Sequence, residues 1–121
     1  MPKKSSQTID KTLEKGLYTS LYQVIADLSG PREVETFLKN LFSESELSMF
    51  SKRLAIAVFL DEGKSYEYIK NTLKVSSATI STVAEHVGSR GFKLALHKIR
   101  TEVWAKQWST KLTRMFGLNR T

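Results

Sequence analysis

Few residues of this 121-residue chain have the types and spacing that catalysis or metal binding requires. The closest acid pairs are Glu44 with Glu46 and Asp61 with Glu62, and neither pair has a nearby histidine that would complete a catalytic set with a nucleophile. Cysteine is absent, and the two histidines have no ligand partner at useful spacing. We therefore expect no enzymatic activity, no metal and no cofactor.

The basic residues are concentrated at the carboxyl end of the chain. Lys and Arg number 19 against 12 Asp and Glu, for a net charge of +7. Residues 1–89 hold eleven of each sign, whereas residues 90–121 hold eight basic residues and one acid. Such an asymmetry favours a polyanionic partner, either nucleic acid or an anionic membrane surface. The plainer alternative is a solvated cationic face that aids solubility.

The apolar spacing over residues 66–85 predicts a helix-turn-helix. In a twenty-residue unit numbered from Tyr66, the fourth, eighth, tenth, fifteenth and eighteenth positions should be apolar, because they pack the two helices together. Those positions hold Ile69, Leu73, Val75, Ile80 and Val83. Lys74 occupies the turn position that often holds glycine, so either the turn differs locally or Lys74 accepts a strained left-handed backbone. A generic helical hairpin is the plainer alternative.

Residues 76–79 lie at the amino end of the second helix of this unit, where DNA recognition would occur. Short hydroxyl side chains there can cap the helix and let it approach DNA closely, and the free backbone N–H groups favour phosphate contact. Lys64 and Lys74 are further phosphate ligands by position. Arg90 and Lys93 follow the second helix closely, and flanking phosphates are their natural partner.

Helical periodicity predicts the elements that position these residues. An amphipathic helix from Ile9 to Leu28 ends at residues 29–31, and a second helix has its apolar face between Val34 and Leu41. A Ser-x-x-Glu capping box at Ser43 begins a third helix that is apolar on several sides and therefore central. Its stop is at residues 61–65, with Gly63 in the usual carboxyl-terminal position. Two short helices (66–73 and 77 to about 87), a turn over 88–91 and a last long helix follow.

The predicted organisation has three parts. Residues 1–8 form a disordered polar tail, residues 9–96 a helical dimerisation and DNA-binding domain, and residues 97–121 a basic amphipathic extension. The extension places Trp104 and Trp108 on one face, which favours core or dimer packing. No run approaches the ~20 apolar residues that a membrane helix needs, and no signal peptide opens the chain. We therefore expect a cytoplasmic protein.

Several short motifs between Leu17 and Ile99 point to one family. They are Leu21-Tyr22-Gln23-Val24, Arg32-Glu33, Phe37-Leu38, Glu46-Leu47 with Lys52-Arg53-Leu54, Glu62-Gly63-Lys64-Ser65-Tyr66 and Ser77-Ala78-Thr79-Ile80-Ser81. Through them the chain resembles the Trp-repressor-like family, and most closely its YerC/YecD-type branch. The resemblance implies an all-α fold of about six helices and an intertwined homodimer that presents two helix-turn-helix heads to adjacent major grooves of double-stranded DNA. It also implies sequence-specific transcriptional regulation.

The resemblance further implies which residues contact DNA. The amino end of the family's recognition helix matches residues 77–79, with Ser76 just before and Ser81 on the next turn, and Lys70 matches a family lysine on the first helix. Ala78 is placed to touch a thymine methyl group, and the hydroxyls to bond base edges, water or phosphates. The full predicted DNA-contact set is Lys64, Lys70, Lys74, Ser76, Ser77, Ala78, Thr79, Ser81, Thr82, Arg90 and Lys93.

Two functional hypotheses follow from the sequence. The first is a homodimeric transcriptional regulator, and within that class a repressor, which reads the major groove with its helix-turn-helix. The second is a basic interaction module whose carboxyl-terminal helix binds RNA or an anionic membrane, with the helix-turn-helix as scaffold. Binding to one duplex sequence far above random duplex distinguishes them.

We predict that free tryptophan barely changes the DNA affinity of this protein. In the Trp repressor two arginines flank the bound indole; Arg53 resembles one of them, as a remnant of that ligand pocket, but Thr82 stands where the other is expected. A ligand shifts a conformational equilibrium only by the difference between its affinities for the two conformations. Because one of the two arginines is missing, tryptophan should change DNA affinity by less than about tenfold. Fluorescence anisotropy with and without tryptophan measures this, and a larger rise would contradict the inference from Thr82.

Overall fold

The computed structural model describes residues 8–100 and 110–114. Within those ranges the chain is helical and has no strand, so the all-α class expected from the sequence is confirmed. The helices are α1 (Lys11–Asp27), α2 (Gly30–Leu41), α3 (Glu44–Asp61), α4 (Tyr66–Leu73), α5 (Ser77–His86) and α6 (Arg90–Arg100), and residues 110–114 are also helical. The chain forms two compact units, Met1–Leu47 and Ser48–Thr121.

The first unit contains α1 and α2. The apolar face of α1 is exposed in the single chain, whereas on α2 Leu41 is exposed and Val34, Phe37 and Leu38 are half-buried. Asp10 caps α1 by accepting hydrogen bonds from the backbone N–H groups of Thr12 and Leu13 at 3.1 and 3.2 Å. α2 begins at Gly30 with Pro31 in its first turn, a position that needs no N–H donor. No residue of either helix is buried. The exposed apolar residues of α1 include Leu13, Leu17, Leu21, Val24 and Ile25.

The capping box predicted at the start of α3 is present. The Ser43 backbone N–H donates to Glu46 Oε1 at 2.8 Å, and the Glu46 N–H donates to Ser43 Oγ at 3.1 Å. Farther along α3, five consecutive residues (55–59) are buried. A helix that is buried around its whole circumference over this length lies at the centre of its unit, as the sequence indicated.

Gly63 makes the stop after α3 possible. Its φ is +80°, a left-handed conformation that glycine adopts without steric cost. The Lys64 N–H can then donate back to the carbonyl oxygen of Phe59 at 3.0 Å, which satisfies one carbonyl at the end of α3. Ser65 follows at once as the cap of α4, with its hydroxyl accepting from the Tyr68 N–H at 3.1 Å.

The helix-turn-helix predicted over residues 66–85 is confirmed. Ile69 and Ile80 have no exposed surface, while Leu73 and Val83 are 4% and 3% exposed. Val75, in the turn, is half-buried against the same core. The rings of Phe59 and Tyr68 meet edge to face, with their centroids 5.5 Å apart. This contact packs α4 against α3.

The expected turn over residues 88–91 is wrong in its second half. α6 begins at Arg90, and the Lys93 N–H donates to the Ser89 carbonyl at 2.9 Å. Gly91 is therefore the second residue of a helix and not part of the turn. Burial of Leu96 and Ile99 in the core favours this helix.

An ion pair joins the ends of α3 and α6. Arg100 Nε donates to Asp61 Oδ2 at 3.0 Å, and Arg100 Nη2 donates to the other carboxylate oxygen. The hydrogen bond to Asp61 and the charge of that carboxylate raise the pKa of Arg100. Asp61 precedes the helix-turn-helix in the chain and Arg100 follows it, so the ion pair connects the two ends of the segment that contains this motif.

Part of the predicted extension lies outside the described residues. That part includes Val103, Trp104, Trp108, Met115 and Phe116, and residues 1–7 of the predicted tail also lie outside. Leu112 is described, and it packs half-buried against the core of the second unit. Lys111 and Arg114 beside it are exposed.

We predict that Lys74→Gly stabilises the protein. Lys74 has φ +57° and ψ +52°, within the left-handed region, where a side chain costs about 1–3 kcal/mol. Glycine removes that strain but adds some unfolded-state entropy, which leaves a net gain of roughly 1 kcal/mol. Urea unfolding measures the gain. Lys74→Ala is the control, because it removes the same charge and keeps the Cβ; an equal gain from both variants would contradict the explanation.

Candidate nucleic-acid interface

Two side chains at the amino end of α5, those of Ser76 and Thr79, are hydrogen-bonded to each other. Ser76 is the cap, and its Oγ accepts from the Thr79 backbone N–H at 3.1 Å. The same Oγ lies 3.0 Å from Thr79 Oγ1. Thr79 is accordingly half-buried, with its hydroxyl turned back to the cap rather than fully outward. Sequence reasoning placed both residues at this site but did not foresee this bond between them.

The outward face of α5 presents short side chains. Ser77, Ala78 and Ser81 are exposed, and Thr82 is exposed with its Oγ1 donating to the Ala78 carbonyl at 3.0 Å. Residues that project little beyond the backbone let the helix axis come close to a surface that it docks against. At this face the unsatisfied N–H groups of the first turn are also available to an anion.

The lysines that the sequence assigned to phosphate contact are all exposed. Lys70 lies on α4, and Lys74 is in the turn between α4 and α5. Lys64 precedes α4, and its Nζ lies 5.2 Å from the centre of the Tyr68 ring. That cation–π contact limits the positions of the Lys64 ammonium while leaving it at the surface.

Arg90 and Lys93 are exposed on the first turn of α6. α6 follows the end of α5 after the short turn over residues 87–89. Within Arg90–Arg100 the sequence has no acidic residue, so the exposed side of α6 is cationic, apart from Leu94. The first turn of α6 therefore adds two exposed basic side chains close in sequence to the end of α5.

The two residues compared with the indole clamp have local partners. Arg53, exposed on α3, has its guanidinium carbon 5.7 Å from the centre of the Phe50 ring. Thr82, exposed on α5, bonds back to its own helix. Each contact is made with a residue of the same helix, so neither residue needs a ligand to be satisfied.

Two exposed residues on α5 were absent from the predicted contact set. Glu85 and His86 lie in the last turn of α5, and both are exposed. Glu85 comes four residues after Ser81, so the helical repeat that identified the outward face also includes it. On α5, the predicted contact set includes no residue after Thr82.

Among the described residues, no group of three or more histidine, aspartate or glutamate side chains is placed to hold a metal ion. The same part of the chain contains no helix of the length and apolar character needed to cross a membrane.

The fold and this exposed helix-turn-helix are typical of a family of regulatory DNA-binding proteins. The chain belongs to the Trp repressor protein family, whose sequence model matches residues 17–99. It is also similar to the uncharacterized protein YerC of Bacillus subtilis (strain 168), with 31% identity over 94 residues that cover 76% of this chain and 89% of YerC. No solved structure matches the chain. The family and branch inferred from the sequence motifs are thereby confirmed.

We predict that Ser76→Ala and Ser77→Ala differ in stability although the residues are adjacent. Ser76→Ala removes the hydroxyl that accepts from the Thr79 N–H, and loss of such a cap costs about 1 kcal/mol. Ser77→Ala alters an exposed side chain and should stay within about 0.5 kcal/mol of the wild type. Urea unfolding of both variants makes the comparison, and equal losses would mean that the cap does not hold α5.

Proposed function

We propose that the protein is a homodimeric transcriptional regulator that binds a specific operator with its helix-turn-helix in the major groove, and that it acts as a repressor. The observation that carries this proposal is the outward face of α5. Its side chains are short and exposed, and it lies beside the lysines of α4 and of the turn. Regulation then follows from equilibrium binding, with no reaction catalysed. A cytoplasmic, nucleoid-associated location suits this activity.

The exposed apolar surface of α1 supports the homodimer. Leu13 and Leu17 are each 54% exposed, and Tyr22 is 64% exposed. Contiguous apolar surface of this kind on a small chain is typical of an interface. A two-fold dimer gives two recognition helices, which bind half-sites about one helical turn of DNA apart, roughly 34–36 Å.

The lysines and the outward face of α5 have different tasks in this proposal. Lys64, Lys70 and Lys74, with Arg90 and Lys93 on α6, contact phosphates and set orientation and affinity. Ser77, Ala78 and Ser81 lie against base edges, where a hydroxyl bonds directly or through water and a methyl group contacts thymine. Because these side chains are short, DNA shape contributes much of the specificity.

Recovery of bound fragments from random duplex DNA tests the function, with the full chain as bait. We expect one enriched, two-fold symmetric sequence, and sedimentation at low micromolar concentration should give twice the chain mass of 13.8 kDa. Equal affinity for RNA or for anionic vesicles would instead favour the basic interaction module. A stable folded monomer would contradict the dimer.

We predict that Lys70→Ala and Ser81→Ala weaken binding in different ways. Loss of one phosphate contact should lower affinity for every duplex and reduce the salt slope by about one unit. Loss of the Ser81 hydroxyl should change the order of preference among operator variants and leave affinity for random duplex unchanged.

Lys15→Ala is the matched control for Lys70→Ala, because Lys15 is an exposed lysine on α1 and is not part of the helix-turn-helix. It removes the same charge and should leave the salt slope as it is in the wild type. If Lys70→Ala and Ser81→Ala lose affinity equally on every duplex, α5 is not the reading helix.

A further inference from the structure

Glu85 continues the line of residues by which α5 would meet a base edge. Ser77, Ser81 and Glu85 are spaced by four along the helix, so they lie one above another on the outward face. All three are exposed. Their Cα atoms span about 12 Å along the axis, at 1.5 Å per residue. Recognition helices of other proteins place reading residues over a similar length.

No interaction within the described residues explains a carboxylate at this position. Glu85 makes no hydrogen bond or ion pair among them. It lies in the last turn of α5, where the negative end of the helix dipole disfavours an anion. Phosphates near this face would repel it as well. Glu85 therefore stabilises neither the helix nor the general attraction to DNA.

The chemistry of a carboxylate restricts what Glu85 can read. An ionised carboxylate only accepts hydrogen bonds. In the major groove, guanine and thymine offer acceptors, which repel it, and adenine places its N7 acceptor beside its N6 amino donor. Cytosine presents its N4 amino donor without an adjacent acceptor on the same base, and it is the base that Glu reads. Ser77, Ala78 and Ser81 are short, so the helix can approach closely enough for the longer Glu85 side chain to reach a base.

We propose that Glu85 is a specificity-determining residue, which selects a cytosine in each half-site by accepting a hydrogen bond from its N4 amino group. This inference rests on the proposed function of α5 as the reading helix. It adds one base contact that the predicted contact set lacks. Because a carboxylate only accepts hydrogen bonds, this contact requires a hydrogen-bond donor on the base.

Selection from random duplexes with the wild type, Glu85→Gln and Glu85→Ala tests the proposal. The wild type should prefer cytosine at one position of each half-site by roughly tenfold. Glu85→Ala should lose that preference and keep the remainder of the sequence. Glu85→Gln should move the preference toward adenine, because an amide pairs with the N6 and N7 edge of adenine.

Glu67→Gln is the matched control. Glu67 is an exposed carboxylate on α4 of the same helix-turn-helix, and its side chain lies 3.5 Å from the Asn71 amide. The substitution changes the charge as Glu85→Gln does, and it should leave every base preference unchanged. Thermal unfolding of each variant should show a stability within about 0.5 kcal/mol of the wild type, because both side chains are at the surface.

Two results would overturn the inference. In one, Glu85→Ala and Glu85→Gln retain every base preference of the wild type. In the other, they bind all duplexes more tightly by the same factor, which would show a carboxylate that only repels phosphates. A wild type that enriches no duplex sequence is a different failure, because it would overturn the proposed function together with this inference.

Discussion

The rest of the second unit depends on the burial of three isoleucines. Ile56 of α3, Ile69 of α4 and Ile80 of α5 have no exposed surface, and each comes from a different helix. Full burial of one such side chain contributes about 1.5–3 kcal/mol. Because well-packed side chains interdigitate with few voids, the shared core fixes how α4 and α5 cross. The outward face of α5 is defined by this constraint before any polar contact is considered.

Polar interactions then determine where α4 and α5 begin. Ser65 caps α4 and Ser76 caps α5, and both do so with a hydroxyl that accepts from the N–H three residues ahead. The left-handed backbone at Lys74 joins the two helices in a tight turn, at a cost in strain that the surrounding core offsets. No polar or charged residue is buried among the described residues, so these bonds lie at the surface of an apolar core.

The two units differ in how far the single chain buries their apolar residues. The first unit has extensive apolar surface and no buried residue in α1 or α2, which suits a role completed by a partner chain. The second unit has its own core and contains α5 and the exposed lysines Lys64, Lys70 and Lys74. The Asp61–Arg100 pair joins the two ends of the segment that holds that helix. In the function proposed above, DNA affinity, orientation and base reading belong to different residues of this unit.

The sequence alone determined the helices, their caps and the family, because those features depend on local spacing. The apolar residues from Ile69 to Val83 predicted the helix-turn-helix, and Ser43 predicted a capping box that is present. Where a long-range contact competes with a local signal, the sequence was insufficient: Gly91 indicates a turn, yet burial of Leu96 keeps it in α6.

The direction of each side chain was decided by the tertiary structure. The hydroxyl of Thr79 turns back to the Ser76 cap, and Glu85 shares the outward face with Ser81. Arg100 meets Asp61 across 39 residues, a pairing that no local pattern contains. Such contacts exist only after the core has set the crossing of the helices, and for that physical reason they could not be read from spacing along the chain.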